Sequence, residues 1–163
     1  MSYLVFILFF ITSIQTANAC VCGDWDYPII RDLQEEDFNN SVTLIIGHIN
    51  KISIKKIRIR IGARKLKTNI MILSVKIISV RDNKIIKKTI KLASPIGLVS
   101  CGYPFKAKET YFISISEKGI PETKKAIYKT NLCMPTKNIK YLKNNDTFLI
   151  EKYFSVNIKE LLN

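Results

Sequence analysis

The sequence is poor in the residues that most catalytic and metal sites require. It contains a single histidine, His48, and only 13 Asp and Glu against 26 Lys and Arg in 163 residues. One histidine excludes a site built on two or more histidine ligands. Neither a Gly-x-Gly-x-x-Gly run nor a Gly-Lys-Ser/Thr run occurs, which excludes nucleotide binding through those motifs. Because no nucleophile–histidine–acid set and no paired carboxylates can be assigned, we do not expect an enzyme.

Repeats and low-complexity segments are also missing, and 47% of the residues are hydrophobic. This fraction suffices for a packed core, and the length supports one domain. We expect that domain to span 20–163, with a short C-terminal tail to which the sequence assigns no role.

Residues 1–19 have the layout of a secretory signal peptide. They carry no charged side chain, residues 4–11 are continuously apolar, and Ala17-Asn18-Ala19 forms an Ala-x-Ala cleavage site directly before Cys20. We therefore expect a secreted, extracellular protein that begins with Cys20. Two alternatives are an uncleaved membrane anchor, for which the apolar run is short, and a bacterial lipoprotein acylated at Cys20.

The rest of the sequence is typical of a β protein. Residues 57–61 alternate isoleucine with arginine, and several other segments are rich in β-branched residues. Turn-forming Asp, Asn, Gly and Pro separate these segments. The predicted strands are 42–52 with a bulge at Gly47, 57–61, 69–80, 85–92, 111–116 and 126–133, and the predicted short helices are 33–38 and 136–142. Five or more strands with short connections predict an antiparallel barrel or sandwich.

The four cysteines are Cys20, Cys22, Cys101 and Cys133. In an exported protein we expect them to pair. The pattern favours two long-range bridges that join Cys20 and Cys22 to the two downstream cysteines, and the residues alone leave both ways of doing so open. A Cys-x-Cys followed by two isolated cysteines is not a standard zinc spacing.

In order and spacing, five segments resemble the tissue inhibitors of metalloproteinases, from Cys20 to about Leu142. The first is a Cys-x-Cys directly after the cleavage site, and the others lie before the first strand, around the third cysteine, in the following strand and around the last cysteine. They are Cys20-Val21-Cys22, Phe38-Asn39-Asn40-Ser41, Val99-Ser100-Cys101-Gly102-Tyr103, Glu109-Thr110-Tyr111-Phe112-Ile113, and Asn131-Leu132-Cys133 with Pro135.

The resemblance implies a mainly β fold, a five-stranded OB-fold-like barrel of the netrin-like type, with short flanking helices and a disulfide-pinned N-terminus. It implies the bonds Cys20–Cys101 and Cys22–Cys133. Asn39 stands where the family has a cysteine, and no cysteine follows Cys133. The family's third bond in this domain is therefore missing at both ends, and its disulfide-rich C-terminal domain has no counterpart in this sequence.

The resemblance further implies inhibition of zinc metalloendopeptidases. The backbone amine and carbonyl oxygen of Cys20 would bind the protease's catalytic zinc at the position that otherwise holds water. Val21 would enter the protease pocket beside the zinc. The remaining contact residues would be Cys22, Gly23, Leu98, Val99, Ser100 and Cys101. Gly23 and Asp24 depart from the family's usual pattern. We expect no cofactor, and a monomer.

The net charge of +13 supports an alternative function. Basic residues are dense in 52–68, which fits a non-inhibitory netrin-like module that binds polyanionic matrix or an anionic surface, including a form lipid-anchored at Cys20. Aromatic residues that would stack on bases are not interleaved with these charges, so nucleic acid is not an expected partner. His48 lies in a predicted strand and is expected to be a strand histidine rather than a metal ligand.

Overall fold

The computed structural model describes residues 32–39, 43–61, 64–81, 85, 87–96, 101–116, 128–131 and 133–162. The predicted signal peptide, residues 20–23 and residues 98–100 lie outside these ranges.

The described chain is mainly β, as the sequence predicts. Six strands are present: β1 Thr43–Ile61, β2 Arg64–Val80, β3 Thr89–Pro95, β4 Thr110–Ile115, β5 Tyr128–Lys129 and β6 Thr136–Asn138. The helices are α1 Glu35–Asn39, α2 Asn144–Phe154 and α3 Ile158–Leu162, and a 3-10 helix spans Ile139–Tyr141.

All six strands belong to one sheet with the order β5-β3-β2-β1-β4-β6. Strands β1, β2 and β3 form an antiparallel meander, β4 and β6 extend it antiparallel beside β1, and β5 runs parallel to β3. An isolated bridge joins Ser116, directly after β4, to Lys129 of β5. The sheet thus has one strand more than the five expected, and the two-residue β5 and three-residue β6 are its shortest members.

Strands β1 and β4 bury both faces, because successive side chains of a strand point to opposite sides. Ile45 and Ile113 lie in one core cluster, whereas Ile46 and Phe112 lie in a second. The first cluster, here the sheet core, includes Ile45, Ile49, Leu73, Val75, Ile90, Leu92, Tyr103, Phe105, Tyr111, Ile113 and Ile115. The second, here the helix core, joins Leu44, Ile46 and Phe112 to Leu33, Phe38, Leu149, Ile150, Phe154 and Ile158.

Strands β1 and β2 are longer than the other strands and extend beyond them as a two-stranded hairpin. Strand β1 pairs with β4 over residues 43–48, and β2 pairs with β3 over residues 70–76. The two strands pair with each other as far as Ile61 and Arg64. Residues 50–61 and 64–69, here called the arm, therefore have no third strand beside them among the described residues.

Several sequence predictions need correction. Segments 42–52 and 57–61 form one continuous strand, while the bulge at Gly47 is confirmed by a register shift between Ile46 and Gly47. The predicted strand 85–92 begins only at Thr89. Of the predicted strand 126–133 the structure describes residues 128–131 and 133, and among these only Tyr128–Lys129 is a strand. The helix predicted over 136–142 is wrong at its start, because Thr136–Asn138 pairs with the edge of β4. An unpaired strand edge offers hydrogen bonds that override a weak helical pattern.

Candidate functional site

Cys101 is the one predicted contact residue that the structure describes. The others lie outside the described residues: Cys20, Val21, Cys22, Gly23, Leu98, Val99 and Ser100. The candidate site is therefore built from the side that is described, which comprises Cys101, the following loop to Glu109, and the segment around Cys133.

Cys101 marks a change of chain direction. Its φ is 58°, in the left-handed region, which costs a non-glycine residue about 1–2 kcal/mol. The side chain is half-buried and packs against the sheet core. Packing and cross-linking offset the backbone cost, so the conformation is held by the core rather than by local preference.

Cys133 lies in a turn that its neighbours stabilise. Its backbone N–H donates to Asn131 Oδ1 at 3.0 Å, and the N–H of Met134 donates to the Asn131 carbonyl at 3.2 Å. A side-chain oxygen that accepts from the backbone two residues later is a common way to fix a turn. Cys133 also packs against the sheet core, so both downstream cysteines are anchored to the same cluster.

Neither of these cysteines is a free thiol. Cys101 and Cys133 are both disulfide-bonded, and no free cysteine occurs in the described part of the chain. The pairing predicted from the family resemblance involves residues outside the described ranges and stays a prediction.

The loop after Cys101 is fixed to the sheet by three aromatic rings that pack against one another. The ring centroids of Tyr103 and Phe105 are 4.7 Å apart, and those of Phe105 and Tyr111 are 5.1 Å apart at 70°. Such tilted and edge-to-face pairs add about 0.5–1.5 kcal/mol each beyond their burial. Backbone bonds continue the attachment, since Lys108 N–H donates to the Ile49 carbonyl at 2.7 Å and Ile49 N–H donates to the Glu109 carbonyl at 2.9 Å.

Glu109 is the centre of a polar network that the sequence does not predict. Its Oε2 accepts from the Tyr111 hydroxyl at 2.8 Å and from Asn138 Nδ2 at 2.6 Å. The Tyr111 oxygen in turn accepts from the backbone N–H of Lys106 at 2.9 Å. The network joins the loop that follows Cys101 to β4 and β6. Glu109 and Asn138 lie 29 residues apart, and no local pattern signals their contact.

The pKa values of Tyr103 and Tyr111 are both raised, which favours the neutral hydroxyl. Burial raises the pKa of Tyr103 to about 12. Burial, with the hydrogen bond to Glu109 and its negative charge, raises the pKa of Tyr111 further. The two hydroxyls therefore remain protonated to a more alkaline pH than an exposed tyrosine hydroxyl, and Tyr111 keeps its bond to Glu109 over that range.

Lys137 and Asp146 form a second polar attachment for β6. Their charged groups are 3.4 Å apart with side chains 8% and 0% exposed, and Asp146 Oδ1 accepts from the backbone N–H of Leu33 at 2.6 Å. The pair thus connects β6, the first turn of α2 and the segment before α1.

His48 is the strand histidine that the sequence predicts. It lies in β1 opposite Thr110 of β4, and its Nδ1 is 3.0 Å from the Thr110 hydroxyl oxygen. Within the described ranges, His, Cys, Asp and Glu form no group of three that could hold a metal ion. Likewise, no helix there combines the length and apolar character needed to cross a membrane.

Comparison with known proteins adds no assignment. No protein-family model matches the chain, and no curated protein matches it significantly.

Proposed function

We propose that the chain is a secreted inhibitor of zinc metalloendopeptidases, in which Cys20, once freed by signal-peptide cleavage, chelates the protease's zinc. The observation that carries the proposal is the state of the downstream cysteines. Cys101 and Cys133 are both disulfide-bonded and both pack against the sheet core. The sequence has two further cysteines, Cys20 and Cys22, which are the partners that would fasten the N-terminal segment there.

The pairing we propose is Cys20–Cys101 and Cys22–Cys133. Bridges on both sides of Val21 would hold the chelating residue and its neighbour in one geometry. A segment ordered before binding loses less conformational freedom when it binds, which improves affinity without a new contact. The left-handed turn at Cys101 and the Asn131 turn at Cys133 supply the rigid attachment points.

We further propose that five of the strands form an OB-fold-like barrel. The meander of β1 to β3, the pairing of β4 with β1 and the parallel pairing of β5 with β3 support this topology. The bridge between Ser116 and Lys129 supports the closure that a barrel needs. In this description β6 and the helices lie outside the five-stranded unit.

The proposed chemistry follows from an amine and a carbonyl on one residue. The catalytic zinc of a metalloprotease has three protein ligands and an open position. The α-amine has an ordinary pKa of about 8, so the proton that it loses on binding metal costs little near neutral pH. Val21 would then enter the adjacent protease pocket. Residues 98–101 would form the second half of the contact surface.

The decisive experiment adds one alanine before Cys20 in the mature protein. The matched control carries one alanine after Asn163, and all forms are assayed against a panel of zinc endopeptidases. We expect the N-terminal extension to weaken inhibition by at least about 100-fold, which is about 2.8 kcal/mol, while the control and the unfolding midpoint are unchanged. Equal inhibition by both extended forms would contradict chelation, and inhibition of no protease by the mature form would contradict the function.

Intact mass of the purified mature protein tests the starting condition. The proposal requires a chain that begins at Cys20 with an unmodified amine and two disulfides. Retained signal peptide, an acylated Cys20 or a trimmed N-terminus would each block chelation, and would leave the non-inhibitory, lipid-anchored module as the better description.

A further inference from the structure

Basic side chains are densest on one face of the arm defined above. The hairpin from 43 to 80 contains nine Lys and Arg and neither Asp nor Glu. Arg58 lies directly opposite Lys67 in the ladder, and Lys56 and Lys65 lie two residues from them on the same face. All four side chains are exposed. We call these four residues the cationic face.

The charges on this face repel one another. Directly opposed residues of an antiparallel pair have Cβ atoms about 4.5–5.5 Å apart, and like charges in such pairs are destabilising. The ion pairs at Lys137, Lys143 and Lys152 lie away from this face. A depression of about 570 Å³ lies here, lined by Lys56, Ile57, Arg58 and Lys67. A concave surface with one sign of charge concentrates the field on a bound anion.

The spacing suits a linear partner. A step of two residues along a strand covers about 6.5–7 Å, so the levels of Lys56, Arg58 with Lys67, and Lys65 span roughly 13 Å. A chain molecule with repeated anionic groups can neutralise all three levels at once, whereas one small anion can neutralise only one.

Two features of the arm disfavour a nucleic acid or an anionic membrane as its partner. Residues 43–80 contain no Phe, Trp or Tyr, so bases have nothing to stack on. A membrane-bound element combines cations with an apolar face that enters the lipid. Here the exposed aliphatic side chains, Ile54 at 65% and Leu66 at 47%, lie on opposite faces of the ribbon.

We propose that the cationic face binds a linear sulfated polysaccharide. The attraction is electrostatic, so the partner is recognised by charge density and length rather than by a pocket. The choice of a polysaccharide rests on the export assumed for the proposed function, but the surface itself does not involve Cys20.

Heparin is the probe, with its affinity measured at several salt concentrations. The test variant is K56Q/R58Q/K67Q, and the matched control is K87Q/K88Q/K91Q, which removes the same charge from exposed lysines outside the arm. We expect the test variant to lose about tenfold or more in affinity and the slope of log K against log salt to fall by about two to three. The control should lose less than about threefold, and K56R/K67R should bind like the parent because charge is retained.

An equal loss of heparin affinity in both glutamine variants would overturn the proposal, because binding would then depend on the protein's net charge and not on the cationic face. Tighter binding to a duplex or single-stranded oligonucleotide, or to phosphatidylserine vesicles, lost in the same test variant, would overturn the choice of partner. Protease inhibition is measured on the same variants. A parent protein that binds heparin through this face but inhibits no protease would contradict only the proposed function. A parent protein that inhibits a protease but does not bind heparin would contradict only the cationic-face proposal.

Discussion

At the scale of single residues, Gly47 is constrained by space. It lies at a bulge in β1, and a Cβ added there would collide with Val75 Cγ1 in the sheet core. Valine has little freedom to move its methyl groups, since its χ1 is restricted. We expect Gly47→Ala to lower the free energy of unfolding by about 1–3 kcal/mol, the usual cost of overpacking a core. Urea unfolding of parent and variant measures this.

A double-mutant cycle with Val75→Ala separates collision from backbone effects. Val75→Ala alone should destabilise by creating a cavity. If collision is the cause, the double variant should be more stable than the sum of the single losses predicts, with a coupling of at least about 0.5 kcal/mol. Strict additivity of the two losses would assign the effect of Gly47→Ala to the strand backbone instead.

Tyr103 and Tyr111 make stability depend on alkaline pH. An unfolded tyrosine has a pKa of about 10, and burial raises that of Tyr103 to about 12 and that of Tyr111 further. Between these values the folded state binds more protons than the unfolded state, so stability is full below about pH 10 and falls from there toward pH 12. Tyr103 contributes at most about 3 kcal/mol to this fall, since one pKa unit corresponds to about 1.4 kcal/mol.

Urea unfolding at a series of pH values from about 8 to 11.5 measures the slope. Lysines also titrate in this range, so the comparison uses two variants. Tyr111→Phe should cost about 1 kcal/mol near neutral pH, through the lost bonds to Glu109 and Lys106, and should flatten the alkaline fall. Tyr141, which is 72% exposed, supplies the control: a slope equally flattened by Tyr141→Phe would refute the assignment.

At the scale of elements, α2 is held to the sheet by charge as well as by its apolar side chains. Asp146 is fully buried and contacts Lys137 of β6 and the N–H of Leu33. We expect Asp146→Asn to destabilise the protein by about 3–5 kcal/mol, because it leaves a buried ammonium without a counter-charge. Lys137→Met/Asp146→Asn should recover a large part of that loss, since no isolated charge remains. A double variant as unstable as Asp146→Asn would mean that the bond to Leu33 dominates.

The sequence predicted those elements whose patterns are local. Alternation in 57–61 and the β-branched run in 69–80 indicate β1 and β2 because each of these strands pairs with the strand next to it in the sequence. The sequence wrongly predicts a helix at Thr136–Asn138, because these residues form a strand only by pairing with β4, which lies more than 20 residues earlier. Helix α2 was missed because its apolar side chains acquire their role only against Phe38 and Phe112 in the helix core.

The candidate site was predictable to a similar extent. A cysteine in an exported protein is expected to form a disulfide whatever its neighbours are, so the sequence alone predicts that Cys101 and Cys133 are bridged. The Glu109 network was not predictable from the sequence, because Glu109, Tyr111 and Asn138 form no distinctive motif and come together only in the folded sheet. Long-range polar contacts of this kind carry no periodicity.

At the scale of the whole molecule, one sheet carries both the two downstream cysteines and the cationic face, at different places along its strands. The sheet core holds Cys101 and Cys133, while the helix core supports the other faces of β1 and β4. In the arm, Ile52 packs against the sheet core and Ile57 is buried with Ile70, Ile72 and Ala93, whereas the four side chains of the cationic face are exposed. Substitutions on the cationic face should therefore alter binding with little effect on stability, since exposed changes away from the core usually stay within about 0.5 kcal/mol.

The proposed bridges join the N-terminal segment to Cys101 and Cys133, and their pairing predicts an order of stabilities. Cys22→Ser/Cys133→Ser removes one proposed bridge entirely, and the chain-entropy model puts the loss at about 4–5 kcal/mol as an upper bound. Cys22→Ser/Cys101→Ser removes half of each proposed bridge, so it should be the less stable of the two variants although both lack two cysteines. Thermal and urea unfolding under non-reducing conditions rank them. The opposite ranking, with peptides linking Cys20 to Cys133 in the parent digest, would establish the alternative pairing and would leave Cys20 fastened beside the Asn131 turn instead.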